Sequence, residues 1–429
     1  MDTDLDRLKL TIGRSLQDVR TVLALRFSVF LLPILFSPVW SFEATLRSGQ
    51  SVPVPREYFG LHIHRAAGGT PWPPVQFGSW RLWDSGVAWP QLEPERGRWD
   101  FRLLDRYVEL AAEHKVDILL TLGLTPAWAS ARPTEPSAYN AGNAAEPRSL
   151  TDWEDYVKTV AARYKGRIHS YEIWNEPDVR GTFSSSPEVM ANLANIGYRV
   201  LKSVDPSINV VSPSPTPTAG IAWLGRSLKS GGCPISDVIG YHFYVTPAQP
   251  EAMLSLIENV RRTLRIYRCT DKPIWNTESG WALPKAFPSE EEAAAYLMRT
   301  LIINWLMGID RIYWYAWDNH NCSTLATTTS DTQGVTPAGL AYNIAEGWLD
   351  GSMLDSCTEH GDLWVCVLRK GSSVMHIIWA AGRRVSYSLP PTWAVKTIYD
   401  WRGHVCQLQG SLTATEVPLE LLSQSILPQ

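Results

Sequence analysis

FRLLDRYVELAAEHKVDILLTLG, residues 101–123, decides the fold. Over 101–115 the apolar side chains fall at 103, 104, 107, 108, 110 and 111, the stripe of an amphipathic helix. Over 116–123 the helical period stops and a short, mostly apolar run ends at a glycine, the pattern of a strand buried on both faces. Helix running straight into buried strand is half of a parallel βαβ unit. Working outward, seven more such runs appear: YFGLHIH (58–64), WRLWDS (80–85), IHSYEIWNE (168–176), INVVSP (208–213), DVIGYHFY (237–244), KPIWNTES (272–279) and RIYWYAWD (311–318). Further helical stripes at 152–165, 187–204, 250–267 and 290–308 lie between them.

Eight strands alternating with helices predict a (β/α)₈ TIM barrel. A doubly wound open sheet shares the alternation, but no Gly-rich phosphate loop follows the first strand. From residue 351 the pattern changes to short runs without helical period, among them DLWVCVLRK, VMHIIWAA, VKTIYDWRG and TEVPLELL. These predict a small C-terminal β-sandwich-like domain at 351–429, behind a barrel at 42–350. SPSPTPT (212–218) and 125–149 read as loops at the C-terminal face of the barrel, and loops of such length are often functional.

The chain has 429 residues, 39 Lys plus Arg against 43 Asp plus Glu, and a formal net charge of −4. No basic run tracks phosphates, so nucleic acid is not an expected partner. Residues 1–26 carry five basic side chains, Arg7, Lys9, Arg14, Arg20 and Arg26, nearly offset by Asp2, Asp4, Asp6 and Asp18. FSVFLLPILFSPVW, residues 27–40, is uncharged and short of the ~20 residues of a membrane span, but fits a signal-peptide apolar region ending at Val39-Trp40-Ser41. Residues 1–41 therefore read as a signal peptide, with a retained membrane anchor or a buried core helix as the other readings. Either of the first two places the barrel outside the cytoplasm, periplasmic or secreted.

Six cysteines, none spaced as a zinc or redox pair, suit an oxidising compartment, with buried free thiols acting as small hydrophobes as the plainer alternative. Cys233 and Cys269 each precede a strand by about four residues, which places both at the bottom of adjacent strands and predicts a disulfide. Cys357 and Cys366 flank the turn His360-Gly361-Asp362 and are expected to close a hairpin.

Two acids stand at C-terminal strand ends, where TIM-barrel sites are built: Glu176 in YEIWNEPD, strand four, and Glu278 in PIWNTESGW, strand seven. Cleaving a glycosidic bond through an oxocarbenium-like state needs two such groups, one to protonate the leaving oxygen and one to attack or stabilise the anomeric carbon. Trp174-Asn175-Glu176-Pro177 and Thr277-Glu278-Ser279-Gly280 together resemble the motifs of retaining glycoside hydrolases of clan A, most closely family 39, over roughly 58–349. The resemblance implies Glu176 as acid/base and Glu278 as nucleophile. It also implies Arg81 as the arginine supporting the nucleophile, His242 and Tyr244 as the His-x-Tyr pair whose tyrosine touches it, and Asn175 as a ligand of the sugar 2-hydroxyl.

Trp317 after strand eight and Trp128 in the Thr-Pro-Ala-Trp turn are candidate stacking platforms, and His62 a candidate hydroxyl ligand. Each has a plainer reading: helix-capping carboxylates, a barrel-interior ion pair for Arg81, a satisfied core histidine for His242, core tryptophans. Glu290, Glu291 and Glu292 after Ser289 form a capping-box arrangement that serves a helix N-terminus.

Strict alternation puts Glu172, Trp174 and Glu176 on one face and Asn175 on the other, so an early strand end or bulge at 174–176 is required for both motif residues to meet one sugar. The chemistry implies no cofactor, and the nine histidines show no metal-ligand spacing. The expectation is a retaining glycosidase with Glu176 held protonated by a raised pKa and carboxyl groups about 5–5.5 Å apart. Endo action on a secreted or bacterial exopolysaccharide is the preferred reading, with an exo-acting β-xylosidase or a non-catalytic carbohydrate-binding protein as alternatives.

Overall fold

A computed structural model of the chain describes residues 52–281, 287–320, 325–329, 331–407 and 411–423. The apolar run at 27–40, its cleavage triplet and Cys322 lie outside them. Among the described residues no helix is long and apolar enough to cross a membrane.

Eight parallel strands form one sheet: β1 (Phe59–Leu61), β2 (Ser79–Leu82), β3 (Asp117–Leu122), β4 (Ser170–Ile173), β5 (Asn209–Val211), β6 (Ile239–His242), β7 (Ile274–Gly280) and β8 (Arg311–Tyr315). Their order is β5-β4-β3-β2-β1-β8-β7-β6, and a parallel bridge between Val211 and Val238 joins the two ends into a barrel. Around it run α1 (Trp89–Leu92), α2 (Arg102–His114), α3 (Leu150–Arg163), α4 (Pro187–Val204), α5 (Pro217–Lys229), α6 (Ala252–Ile266), α7 (Glu290–Leu306) and α8 (Pro337–Leu349).

Residues 101–123 show why these segments fold as they do. In α2 the buried residues are Leu104, Tyr107, Val108, Leu110 and Ala111, spaced to face the sheet, while Leu103 stays 37% exposed. The helix stops at Lys115 in the left-handed conformation (φ 56°), its N–H bonded back to the last turn, and the chain turns into β3. β3 is buried along nearly its whole length, as a strand sandwiched between barrel interior and helices must be. Ser289 caps α7 by accepting from the Glu292 N–H, the arrangement read from the sequence.

The sequence reading missed three helices: the single turn α1, and α5 and α8. The last two begin Thr-Pro, with the proline in the first turn where its missing N–H costs nothing. The Pro-rich run at 212–218 is therefore only partly loop; its last two residues already belong to α5.

After α8 the chain builds antiparallel strands β9 (Met353–His360), β10 (Leu363–Lys370), β11 (Ser373–Ala380), β12 (Val385–Tyr387), β13 (Val395–Tyr399), β14 (Val405–Cys406), β15 (Leu412–Ala414) and β16 (Leu419–Ser423). They form a six-stranded sheet, β14-β13-β16-β11-β10-β9, and a two-stranded ribbon, β12-β15, around an apolar core of their own. Trp379 of β11 donates to Glu251 at 2.9 Å, and the fully buried Arg299 of α7 holds the same carboxylate at 2.9 Å. Cys233 and Cys269 are joined with S–S 2.06 Å below β6 and β7, and Cys357 is bonded to Cys366, its cross-strand partner in β9 and β10. Cys406 is free and half-buried.

Candidate active site

β4 ends at Ile173, and the next residues leave the strand sharply: Trp174 has φ 70° and Glu176 φ 45°. Two left-handed non-glycine residues within three positions are costly and persist only where their surroundings fix them. Here Trp174 N donates to Leu122 O at 2.7 Å, Trp174 Nε1 to Thr182 O at 2.9 Å, and Glu176 N to Ser214 O at 2.9 Å. Trp174 is wholly buried between the rings of Trp153 and Phe183. The early strand end that the alternation required is present, and it brings Asn175 and Glu176 to the same mouth.

Arg81 of β2 organises what lies between the strands. Its Nε donates to Glu172 at 2.7 Å, its Nη1 to Glu278 Oε2 at 2.9 Å and its Nη2 to Asn175 Oδ1 at 2.6 Å, with no exposed side-chain surface. Glu172 also accepts from Thr121 at 2.6 Å and from Ser214, which in turn accepts from Thr277 at 2.9 Å. Ser214 fits there because Gly240 lies opposite: a Cβ at that glycine would stand 2.1 Å from the Ser214 oxygen. An arginine can only donate, so Asn175 must present Oδ1 to it, and among the described residues nothing takes up the Nδ2 hydrogens.

Glu278 sits where β7 slips register against both neighbours, between Asn276 and Ser279 on the β8 side. Tyr244 donates its hydroxyl to Glu278 Oε1 at 2.9 Å. Burial, then the Glu278 charge, push the tyrosine well above its ordinary range, so it stays a neutral donor. His242 Nδ1 lies 3.0 Å from Glu176 Oε1 and 4.0 Å from Glu278 Oε1.

The protonation pattern corrects one expectation. Burial pushes the Glu176 carboxyl up, but the hydrogen bond and charge of His242, with Arg81 behind them, outweigh it and leave Glu176 below its ordinary value. Burial alone would lower His242, yet the Glu278 charge and the Glu176 hydrogen bond and charge raise it. Glu278 is raised by burial and by Glu176, against the opposing pull of His242 and Arg81, while its hydrogen bonds from Arg81 and Tyr244 both favour the ionised form. The mobile proton of the site is thus held on the Glu176–His242 pair rather than on Glu176 alone.

Glu176, His242 and Glu278 present ligand atoms within 4.8 Å of one another, the set among the described residues that a cation would need. Three of the four carboxylate oxygens are already engaged, Glu176 Oε1 by His242 and the two of Glu278 by Tyr244 and Arg81. Two carboxyl groups and an imidazole so placed are chemically equipped for proton transfer and nucleophilic attack.

The other sequence candidates are less directly engaged. His62 is fully buried; its Nε2 must donate to Thr277 O at 3.1 Å, leaving Nδ1 without a partner among the described residues. Trp317 is only 2% exposed, so it is packed rather than offered as a platform. Trp128 is half-buried, tied to Glu93 O at 2.9 Å, with Arg96 4.8 Å over its ring. Sequence reading missed Thr121, Ser214, Asp84, Tyr139, Tyr315 and His64 at this face; Asp84, three residues after Arg81, was visible only as one more acid.

The family model for glycosyl hydrolases family 39 matches residues 82–307, more than half of the 429-residue chain. Among solved structures the chain is similar to a family 39 glycoside hydrolase from the gut symbiont Bacteroides cellulosilyticus, with TM-score 0.69 and 19% identity over 86% of this chain and 81% of that one. It is also similar to a family 39 β-xylosidase from Caulobacter crescentus, with TM-score 0.64 and 14% identity over 88% and 98%. A family 30 endoxylanase from Clostridium papyrosolvens gives TM-score 0.58 and 15% identity over 87% and 98%. Identities this low speak to the fold.

Proposed function

The chain belongs to family 39 of the glycosyl hydrolases, and from that premise we propose that it is an exported retaining hydrolase cutting within a secreted or bacterial exopolysaccharide. The observation that carries the retaining mechanism is the closeness of the two carboxylates. Oxygens of Glu176 and Glu278 lie within 4.8 Å, against about 5–5.5 Å between carboxyl groups in retaining enzymes and about 6.5–9.5 Å in inverting ones. That separation is short of the gap in which an inverting enzyme seats the sugar and the attacking water together.

In this reading Glu278, oriented by Arg81 and Tyr244, attacks the anomeric carbon as a carboxylate. Glu176 passes the proton it shares with His242 to the departing oxygen and is left as a carboxylate. Once the leaving sugar has gone, Glu176 takes a proton from water, and the resulting hydroxide displaces Glu278 with net retention. Asn175, its oxygen fixed by Arg81, offers Nδ2 to the 2-hydroxyl, a contact that tightens as the sugar flattens.

Export is supported by the basic segment and apolar run at 1–41 and by two disulfides, which suit an oxidising compartment. Endo action is supported by the long loops that border the barrel mouth, among them 125–149.

The test is the mass spectrum of products released by the full chain from β-xylosides and a panel of bacterial exopolysaccharides, with Glu278→Gln as control. Oligosaccharides from a polymer, absent in the control, establish the proposal. Single sugars from chain ends replace it with exo action, and binding without products makes the protein a carbohydrate-binding one.

A further inference from the structure

Asp84 follows β2 directly, in a left-handed conformation (φ 56°), and its side chain is exposed at the catalytic face. Tyr139, from the long loop after β3, donates to its Oδ1 at 2.9 Å, and Tyr315, ending β8, donates to its Oδ2 at 2.9 Å. Asn319 supports Tyr315 at 2.7 Å. A carboxylate fixed by two tyrosines from two other elements is held for a purpose that the barrel itself does not require, and backbone strain of this kind gathers at sites.

A cavity of about 210 Å³ opens beside it, lined by Trp83, Asp84, Thr121, Leu124 and Tyr139 among others. It falls below the roughly 300–1,000 Å³ of drug-sized sites and suits a single sugar residue. Thr121 connects it to the catalytic network, since its hydroxyl bonds Glu172 at 2.6 Å. On the far side of Tyr315, 5.2 Å between ring centroids, His64 is nine-tenths buried. Its Nε2 has no hydrogen-bond partner among the described residues, and its Nδ1 stands 3.5 Å from Asp318. The Asp84 carboxylate, with two further lone-pair directions to fill at the cavity, matches a ligand rich in hydroxyls.

We propose that Asp84, gripped by Tyr139 and Tyr315 beside this cavity, reads sugar hydroxyls and sets the charge class of the glycan, admitting neutral residues and rejecting uronate residues. The proposal rests on the glycosidase reading. Hydroxyl pairs donate to a carboxylate, whereas a uronate there would face Asp84, Glu278 and Glu176 together. The cationic side chains at this face, Arg81, Arg65 and His242, already have acidic or carbonyl partners. All three donor nitrogens of Arg81 are engaged, and Arg65 is turned onto Asp318, donating to its carbonyl at 2.9 Å. His62 and His64 are both lowered, chiefly by burial, and carry no charge to offer at neutral pH.

The test compares kcat/KM of the full chain on aryl β-glucoside, β-xyloside and β-glucuronide, and on neutral and uronate polysaccharides read by mass spectrometry. Wild type, Asp84→Asn and Tyr139→Phe are run side by side, with uptake of the same oligosaccharides followed by tryptophan fluorescence. Asparagine tolerates the left-handed backbone, so Asp84→Asn is expected to fold. The expected result is a neutral-to-uronate ratio of roughly tenfold or more in wild type, one like-charge repulsion at a partly solvated distance. That ratio collapses in Asp84→Asn, mostly through KM, and narrows in Tyr139→Phe. A wild-type preference for uronates, or a ratio that Asp84→Asn leaves unchanged, overturns the proposal while leaving the glycosidase intact. A wild-type protein that neither cleaves nor binds any glycan overturns the glycosidase reading and this subsite with it.

Discussion

Arg81 and Glu278 stand three strands apart around the barrel, on β2 and β7, and meet through a 2.9 Å hydrogen bond from Nη1 to Oε2 with the arginine wholly buried. That one guanidinium also carries Glu172 and Asn175, so positioning of the nucleophile and of the 2-hydroxyl ligand share a single support.

Arg81→Met is therefore expected to damage stability as well as rate. Removing one partner of a buried charge network costs about 3–5 kcal/mol, because Glu172 and Glu278 lose their countercharge. Chemical denaturation should show a loss of that size, and kcat should fall about ten- to a hundredfold, the loss of a charge-assisted bond to the nucleophile being about 1.5–3 kcal/mol by itself. Full stability in this variant would mean that Arg81 does not hold the carboxylates as charged groups.

Substitution of the two acids should separate their roles. Glu278→Gln is expected to abolish turnover of every substrate. Glu176→Ala should lose about 10²–10⁴-fold on natural glycosides, the range of general acid–base catalysis, yet still release aryl groups that leave without a proton. Added azide should then collect the sugar as a glycosyl azide of the original anomeric configuration, seen by NMR. Inverted azide would place the nucleophile elsewhere.

His242 predicts a pH signature. Its value in the folded protein is raised above the ordinary 6.5, and that of Glu176 is lowered below the ordinary 4.5. A raised histidine stabilises the fold below its unfolded value and loses that contribution as the pH rises through its folded value. A lowered carboxylate stabilises above its unfolded value and loses it as the pH falls through its folded one. The pair's contribution is thus fully present only between about 4.5 and 6.5. The alkaline limb of kcat/KM should report loss of the shared proton, and His242→Asn should move that limb to lower pH. A limb unmoved by this variant would show that His242 does not hold the proton.

Cys233 and Cys269 close a loop of sequence separation 36. Constraint of the unfolded chain over such a loop is worth about 3–4 kcal/mol in the chain-entropy description. The double Cys→Ser variant should unfold earlier by about that amount in a denaturant titration, with activity retained at room temperature, since the bridge lies below the strands and the acids above. Peptide mapping without reductant that found either thiol free would contradict the bridge.

The barrel was legible because most strands are short, largely apolar runs and each long helix carries a stripe, patterns set by burial. The two acids were legible because their motifs end strands. What escaped was whatever depends on where the chain stops being regular. α5 and α8 were hidden by prolines that read as breakers but stand in the first helical turn. The pKa of Glu176 was misjudged because burial can be anticipated from an apolar run, whereas a histidine arriving from β6, 66 residues later, cannot. Asp84 stayed unremarked for the same reason: its partners come from a loop 55 residues on and a strand 231 residues on.

The left-handed backbone at Trp174 and Glu176 bears on any attempt to transplant this chemistry. Copying Trp-Asn-Glu-Pro onto an idealised barrel whose fourth strand runs on regularly would turn Asn175 to the opposite side of the sheet from Glu176. The portable unit is larger than the tetrapeptide. It includes the slot that Trp153, Phe183 and the Thr182 carbonyl make for the indole, and the Ser214 carbonyl that accepts from the Glu176 amide. A designer would have to carry over that anchorage first and fit the acids to it afterwards.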